Sequence, residues 1–407
     1  MGVLTRQGAL LLALCALDSV MRVGLTHELS GVVDLRAVTS DGQQSFLDGG
    51  LGKLRFDEQH DGLRFGQISL FYRHDLAETL KLNIDAITYA DGDSNAVDLT
   101  EAWLEWRPWP RSALRSKLKL GAFYAPISLE NRLTGWRSPY TLSWSAINTW
   151  VGEEIRTAGL QYDLDWLGTK HGSGFDLGLT LGVFGWNDPA GVLIAARGWA
   201  MHDRQTVLFG RIGDLGAAPV NGRTLFEEID HRPGYYVGAN AHYLDRAELR
   251  ALHYDNRGDR VSYSARIDDL AWETKFDAVG LVLTPTDHFT LIAQWLRGVT
   301  YIDPFIVFEW EFESTFLLAS YERGAHRVSL RRDWFSMEQT AGVPPWNHDS
   351  GSGWTLAYLF ELDSRWSLVG EAMQIDSTLT ARAAIGAPLR ERGRTLQVAL
   401  RYLFKTP

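Results

Sequence analysis

The chain of 407 residues has a single cysteine, Cys15. A disulfide framework and a thiolate metal site both need more than one, so both are excluded. Long apolar runs are also missing. Beyond the N-terminal segment no stretch of about eighteen apolar residues occurs, so no helix of this chain is expected to cross a bilayer. Positive charge is in deficit, with 40 Lys and Arg against 50 Asp and Glu. No basic stripe interleaved with aromatics marks nucleic acid as a partner. The 11 histidines show no HExxH spacing, and no glycine-rich loop is placed to cradle a phosphate. No metal, no cofactor and no catalytic residue is therefore expected. Asp91-Gly92-Asp93-Ser94-Asn95 has acids at the spacing of a calcium loop. Ala96 and Ala102 stand where the turn glycine and the final glutamate belong, which excludes an EF-hand and leaves only loose cation binding. His242 and His253, near Asp245 and Asp255, are the one grouping that suggests a hydrolase, and no nucleophile motif accompanies them.

What the chain does have is aromatic residues, 16 Trp, 14 Tyr and 18 Phe, and a period of two. In Leu80-Lys81-Leu82-Asn83-Ile84-Asp85-Ala86 every second residue is apolar. Residues 291–296, 355–362 and 395–404 repeat the pattern, which is that of a strand with one wet face. Sixteen such segments run from 28–38 to 393–404. The gaps between them alternate: tight at Leu244-Asp245-Arg246, at Glu322-Arg323-Gly324-Ala325 and at Asp363-Ser364, long at 125–152, 187–233 and 257–269. A soluble β-sandwich has no reason to sort its loops in this way. A transmembrane antiparallel barrel does, with short periplasmic turns and long extracellular loops. The fold class is therefore all-β, a transmembrane barrel of about 16 strands over residues 25–407. Eighteen strands result if 191–199 pairs with 204–212.

Residues 1–24 read as a secretory signal, with Arg6 ahead of the apolar core Gly8–Leu17. Trp103, Trp106, Trp109, Trp186, Tyr254, Trp310, Trp334, Trp354 and Trp366 fall near strand ends, where an aromatic girdle is expected. The last strand alternates Leu396, Val398, Leu400, Tyr402 and Phe404 outward, similar to the C-terminal signal of outer-membrane proteins.

Leu99-Thr100-Glu101-Ala102-Trp103-Leu104, followed by Lys119-Leu120-Gly121-Ala122-Phe123-Tyr124-Ala125-Pro126-Ile127-Ser128-Leu129-Glu130, resembles the phosphate-selective porin superfamily. The resemblance covers about a sixth of the chain. It implies a homotrimeric sixteen-stranded porin of the Gram-negative outer membrane, in contact with its lipids and lipopolysaccharide. It also implies a third loop folded into the lumen, here 125–152. The expected function is a water-filled channel for passive diffusion of small hydrophilic solutes or ions. The alternatives are a barrel hydrolase and a non-conducting structural or adhesin barrel. Residues expected at the constriction or along the lumen are Glu101, Glu105, Lys117, Lys119, Glu130, Arg132, Arg137, Glu309, Glu311 and Glu313. Acids outnumber bases on the faces assigned to the lumen, with Glu273 and Asp277 also among them. A weak or cation-leaning selectivity is therefore expected, in place of the family's phosphate preference.

Overall fold

The computed structural model describes residues 26–91, 97–213, 223–266 and 268–406. The segment assigned to a signal, 1–24, lies outside the described residues, as does most of the Asp91–Asn95 loop.

A strand facing hydrocarbon must satisfy every backbone N–H and C=O within the sheet, so the sheet has to close. Sixteen strands do so in one antiparallel ring. They are β1 (His27–Ser40), β2 (Gly62–Ala77), β3 (Leu80–Thr88), β4 (Val97–Trp106), β5 (Leu114–Tyr124), β6 (Arg156–Trp166), β7 (Phe175–Gly185) and β8 (Gly234–Tyr243). The second half comprises β9 (Ala247–Asp255), β10 (Glu273–Thr286), β11 (Phe289–Ile302), β12 (Phe308–Arg323), β13 (His326–Ala341), β14 (His348–Glu361), β15 (Trp366–Leu379) and β16 (Arg390–Lys405). Neighbours in sequence are neighbours in the ring. The seam is β1 against β16, paired from Ser30↔Lys405 to Ser40↔Thr395.

Both ends of the barrel follow from this up-and-down order. The start of β1 and the end of β16 share one rim with the connections 78–79, 107–113, 167–174, 244–246, 287–288, 324–325 and 362–365. The opposite rim carries L1 (41–61), L2 (89–96), L3 (125–155), L4 (186–233), L5 (256–272), L6 (303–307), L7 (342–347) and L8 (380–389). The extra hairpin considered at 191–199 and 204–212 does not form. Residues Val192–Arg197 make a short helix there, and the count stays at sixteen.

Period two sorts the side chains into two faces. Leu160, Leu179, Leu181, Val183, Leu249, Val279, Leu317, Leu330, Leu356, Leu396, Val398 and Leu400 are exposed on the outside and form the lipid-facing belt. On the alternate positions, Asp34, Arg36, Arg331, Asp333, Glu371 and Arg401 are buried inside. Trp106, Trp186, Trp334, Trp354 and Trp366 are exposed on the outer surface, whereas Tyr254 and Trp310 are buried.

One expectation is overturned by this sorting. Glu309, Glu311 and Glu313 lie on the outer face of β12, in phase with the exposed Leu317 and Tyr321. The inner face of the same strand is Trp310, Phe312, Ser314, Phe316 and Leu318, all buried. Glu311 pairs with Arg297 at 3.1 Å, and Glu313 accepts from Trp295 Nε1 at 2.8 Å, both from the outside of β11. Asp277 is likewise exposed on the outside of β10. The physical reason is that the strands rise past the apolar belt on the long-loop side. There the outer face turns polar, with Glu338 on β13, Ser350 on β14, Asp376 on β15 and Arg392 on β16. Above hydrocarbon, an outward carboxylate is solvated and costs little.

The belt generates a testable contrast. Leu356→Arg places a charge on the lipid-facing side and is expected to cost about 2–4 kcal/mol. Glu313→Arg, above the belt, is expected to cost little. Refolding into lipid vesicles across a urea series measures both, and equal costs would refute the assigned depths.

Candidate functional site

The interior is shaped by three loops that turn inward. L3 leaves the barrel at β5 and returns at β6, and between them it crosses to the far wall. It carries helix α1 (Ala146–Glu154), whose nine residues are all buried. Ser145 caps the helix, its hydroxyl accepting from Asn148 N at 3.2 Å. This is the usual remedy for the unsatisfied amides of a first turn.

Crossing a lumen leaves a loop with polar backbone that needs partners, and the far wall supplies them. Arg331 of β13 donates to Glu130 Oε1 at 2.6 Å, to Asp333 Oδ2 at 2.8 Å, and to the carbonyls of Ser143 and Trp144, each at 2.8 Å. Asp333 accepts from Ala146 N at 3.1 Å, and Glu371 of β15 accepts from Leu142 N at 2.6 Å. Glu130 also accepts from Ser145 N at 3.0 Å and Asn148 Nδ2 at 2.9 Å. β5 and β13 stand eight places apart in the ring of sixteen, so this network ties L3 to the diametrically opposite wall.

L4 follows L3 inward and carries α2 (Val192–Arg197). Gly191 and Gly198 flank it with positive φ of 105° and 67°. A Cβ on Gly191 would come within 2.1 Å of Thr300 Oγ1, and one on Gly198 within 2.2 Å of Asp349 Oδ2. These two glycines let the loop lie against the wall. The carboxylate of Glu154 ends α1 and accepts from Leu193 N at 2.8 Å, from Gly191 N and Ile194 N, and from Trp150 Nε1. Trp199 then packs edge-on to Trp150 and Phe312, with centroids 5.9 and 6.0 Å apart. L1 closes the arrangement from the other side. Lys53 bonds Asp349 Oδ2 and Arg197 O, each at 2.8 Å. Asp203 of L4 bridges Arg36 of β1 and Arg55 of L1, the latter at 2.9 Å.

The loop carboxylates divide by environment. Burial would raise Asp203, but the two arginines outweigh it and hold the group well below the usual carboxylate range. Burial pushes Glu154 up to about 7 in spite of its donors. Asp188, at the base of L4, is also raised to about 7, by burial and by Asp230 and Glu228 beside it. Arg137 of L3 is lowered to about 9, by burial first and then by the nearby Arg401.

The residues singled out from the sequence fall in three places. Glu130 is the centre of the L3 anchor, and Arg137 is buried within the same loop, donating to Thr134 O at 2.9 Å. Lys117, Lys119, Glu101, Glu105 and Arg132 belong to the β4–β9 side. Lys117 is 3.0 Å from Asp163, and Arg132 is 2.8 Å from Glu248, which also pairs with Arg250 at 2.5 Å. Lys119 sits over the rings of Trp103 and Phe123 at 5.5 and 5.4 Å, and Glu101 accepts from Tyr124 N at 2.9 Å. Glu309, Glu311 and Glu313 are outside the barrel. His242 pairs across from Glu248, whereas the neighbouring-strand His253 is bonded to Asp277, 2.8 Å away on the outer face. The two histidines point to opposite sides of the sheet, so the hydrolase grouping does not assemble. Sequence reading missed the roles of Arg36, Lys53, Arg55, Glu154, Asp203 and Asp349. Arg36 has Asp34 and Glu154 has Trp150 close in sequence, but the partners that dock the loops are distant in the chain and leave no local signal.

No family model matches the chain, and no curated protein sequence matches it. Solved structures do match. The outer membrane channel DcaP of Acinetobacter baumannii is 12% identical, with 94% of this chain and 99% of that chain covered at a TM-score of 0.55. The anion-selective porin from Comamonas acidovorans is 16% identical, with 93% and 100% covered at 0.50. OmpT of Vibrio cholerae, an outer membrane protein folded in vitro and solved in a trimer form, is 9% identical, with 94% and 100% covered at 0.51. The fold is thus that of the porins of the Gram-negative outer membrane.

Two outcomes follow from the anchors. Arg331→Met leaves Glu130 and Asp333 buried without their cation and is expected to lower stability by about 3–5 kcal/mol. A urea midpoint indistinguishable from the parent would refute the anchor. The second concerns pH. Glu154 has an ordinary pKa of 4.5 when solvated and about 7 when docked. Docking of L4 is therefore fully favourable below the ordinary value and weakens as pH rises to about 7, with Asp188 acting in the same direction. Amide exchange at Leu193 and Ile194, corrected for intrinsic rates, should be slower at pH 5 than at pH 7.5. Glu154→Gln should remove the Glu154 share of that change.

Proposed function

We propose that the chain is an outer-membrane channel for passive diffusion of small hydrophilic solutes or ions, with a passage kept narrow by L1, L3 and L4. The observation that carries this reading is the anchor of L3 on the wall opposite its origin. A loop held across the lumen by Glu130, Arg331, Asp333 and Glu371 sets an aperture, and a wall without such a loop would not need buried charge there. The likeness of Lys119–Glu130 to the phosphate-selective porins concerns the strand and loop that make this crossing, and it supports the same reading. We further propose a homotrimer, the form in which Vibrio cholerae OmpT has been solved, embedded among outer-membrane lipids and lipopolysaccharide.

Selectivity is proposed to be weak. The cation preference rested on an excess of lumen acids, and Glu309, Glu311, Glu313 and Asp277 lie outside. On the β4–β9 side, Lys117 is matched by Asp163, and Arg132 and Arg250 share Glu248. A fixed charge that is already paired acts weakly on a passing ion.

A second reading is favoured by one observation. Trp144, Trp150 and Trp199 are at most 2% exposed, and Trp150 and Trp199 pack with Phe312. An interior sealed in this way would suit a non-conducting barrel. Planar-bilayer recording separates the two. The channel reading expects small stepwise conductance from the parent, a reversal potential near zero in a salt gradient, and larger steps when 198–206 is shortened. A silent parent that conducts only after shortening would establish the sealed barrel. Cross-linking in detergent is expected to trap three chains.

A further inference from the structure

One charge on the outer surface interrupts the apolar belt. The outward side chains of β13 run Val328, Leu330, Arg332 and Trp334. A charge facing hydrocarbon is costly, and such a residue points to function when the protein itself does not neutralise it. Among the described residues no carboxylate pairs with Arg332: Asp376 is taken by Arg392 at 2.7 Å, and Glu313 by Trp295 Nε1 at 2.8 Å. The guanidinium lies over the rings of Trp334 and Trp354, with centroids 5.3 and 4.7 Å away, and both rings are exposed on the outside. Two indole faces fix the position of the cation without cancelling its charge. Arg332 Nη2 also donates to Ser352 Oγ at 2.8 Å. Ser352 stands beyond Trp354 toward the long-loop end of β14, so the side chain reaches up toward the external interface.

The belt beside Arg332 is grooved. In register, Ala319 lies between Leu291 and Leu330, and Ala293 between Leu281 and Leu317. These two small side chains leave a hollow of about 480 Å³ in a wall of leucines, and Arg332, Trp334 and Trp354 line it too. The hollow opens to lipid, so hydrocarbon fills it. Beyond the belt, charge is sorted by sector. On the β10–β12 side the outward acids Asp277, Glu309, Glu311 and Glu313 face only Lys275 and Arg297. On the β13–β16 side Arg390, Arg392 and Arg394 stand outward beyond Arg332, against Asp376 and Glu338. A local excess of positive charge in a chain of net charge −10 fits an anionic neighbour.

We propose that Arg332 and the groove beside it bind lipid A, the phosphorylated acyl-sugar anchor of lipopolysaccharide, with a phosphate on the guanidinium and an acyl chain in the groove. The planar fork of an arginine matches phosphate oxygens in pairs. Ser352 Oγ, which accepts from Arg332, keeps its own proton to donate to the same phosphate. A lipid with more than one phosphate also meets the arginines of β16. The site rests on the lipopolysaccharide contact proposed above and is read without conductance. Its failure therefore leaves the channel reading standing, and a silent bilayer leaves the lipid site standing.

The test titrates the full chain, refolded in detergent with EDTA present, with lipid A, with lipid A stripped of its phosphates and with inorganic phosphate. Native mass spectrometry reads the bound lipid. Lipid A is expected to bind about tenfold more tightly than its dephosphorylated form, the worth of one charge-assisted hydrogen bond. Arg332→Leu puts an apolar side chain in the belt and is expected to weaken lipid A about tenfold while leaving the dephosphorylated lipid unchanged. Arg332→Gln serves as a second variant should the first not fold. Arg297→Leu removes an outward arginine of the acidic sector and is expected to change neither lipid. Ala319→Trp fills the groove and is expected to weaken both lipids, with Ala293→Trp as its alternative. Heat-modified gel mobility reports folding in each case. Equal binding of the two lipids, lipid A binding unchanged by loss of Arg332, an equal loss in Arg297→Leu, binding unchanged by filling, or displacement of lipid A by an equal concentration of inorganic phosphate would each overturn the proposal.

Discussion

The constraint on which the structure depends is closure of the sheet. Inside hydrocarbon an unpaired backbone group costs several kcal/mol, so β1 must find β16 and every strand between them must be paired. Closure fixes the up-and-down order, and that order puts eight connections, the five longest among them, on one rim. It also leaves an interior whose walls are polar because the outer positions have taken the apolar residues. The three inward loops answer that interior. They enter a space already lined with Asp34, Arg36, Arg331, Asp333 and Glu371, and those groups have to be matched.

The matching is done with charge where L3 meets β13 and β15, and with the Glu154 carboxylate together with aromatic packing where L3 meets L4. The two have different physics. A buried ion pair gains little against an apolar substitute of equal shape, yet loses much when one partner is removed. It therefore gives one docking position rather than great affinity: Glu130 can satisfy Arg331 in only one register of the loop. Trp150, Trp199 and Phe312 contribute area without direction. Position comes from the charges and most of the burial from the rings.

Much of the barrel was legible in the sequence, because a period of two and a sorted set of loops are local properties that survive without knowledge of the fold. The strands near 80–86, 355–362 and 395–404 stand where alternation puts them. The errors have physical causes. Glu309, Glu311 and Glu313 alternate with Trp310 and Phe312, and the rule that the wet face is the lumen fails where the strands climb out of the belt. There both the outside and the packed interior invert their usual polarity. Trp310 and Tyr254 near strand ends resemble girdle residues for the same reason. The supposed hairpin at 191–212 alternates weakly, and its apolar residues are explained by burial of α2 against the inner wall. The anchors were the least legible part. Arg331 and Glu130 are 201 positions apart, and no local pattern links a loop to the wall it will reach.

The balance between wall and loops also explains why the interior and the mouth differ in character. Deep in the barrel, polar walls can accept a loop only if its backbone and charges find partners. The contacts there are consequently dense in hydrogen bonds, as Arg331 shows. At the rim the loops meet one another more than the wall, and nothing obliges them to be polar. Val192, Phe308, Trp310 and Val343 gather there because L4 has to turn an apolar side of α2 somewhere, and the deep interior is already filled by Trp150 and Trp199. The apolar basin they line is thus a consequence of how L4 is housed.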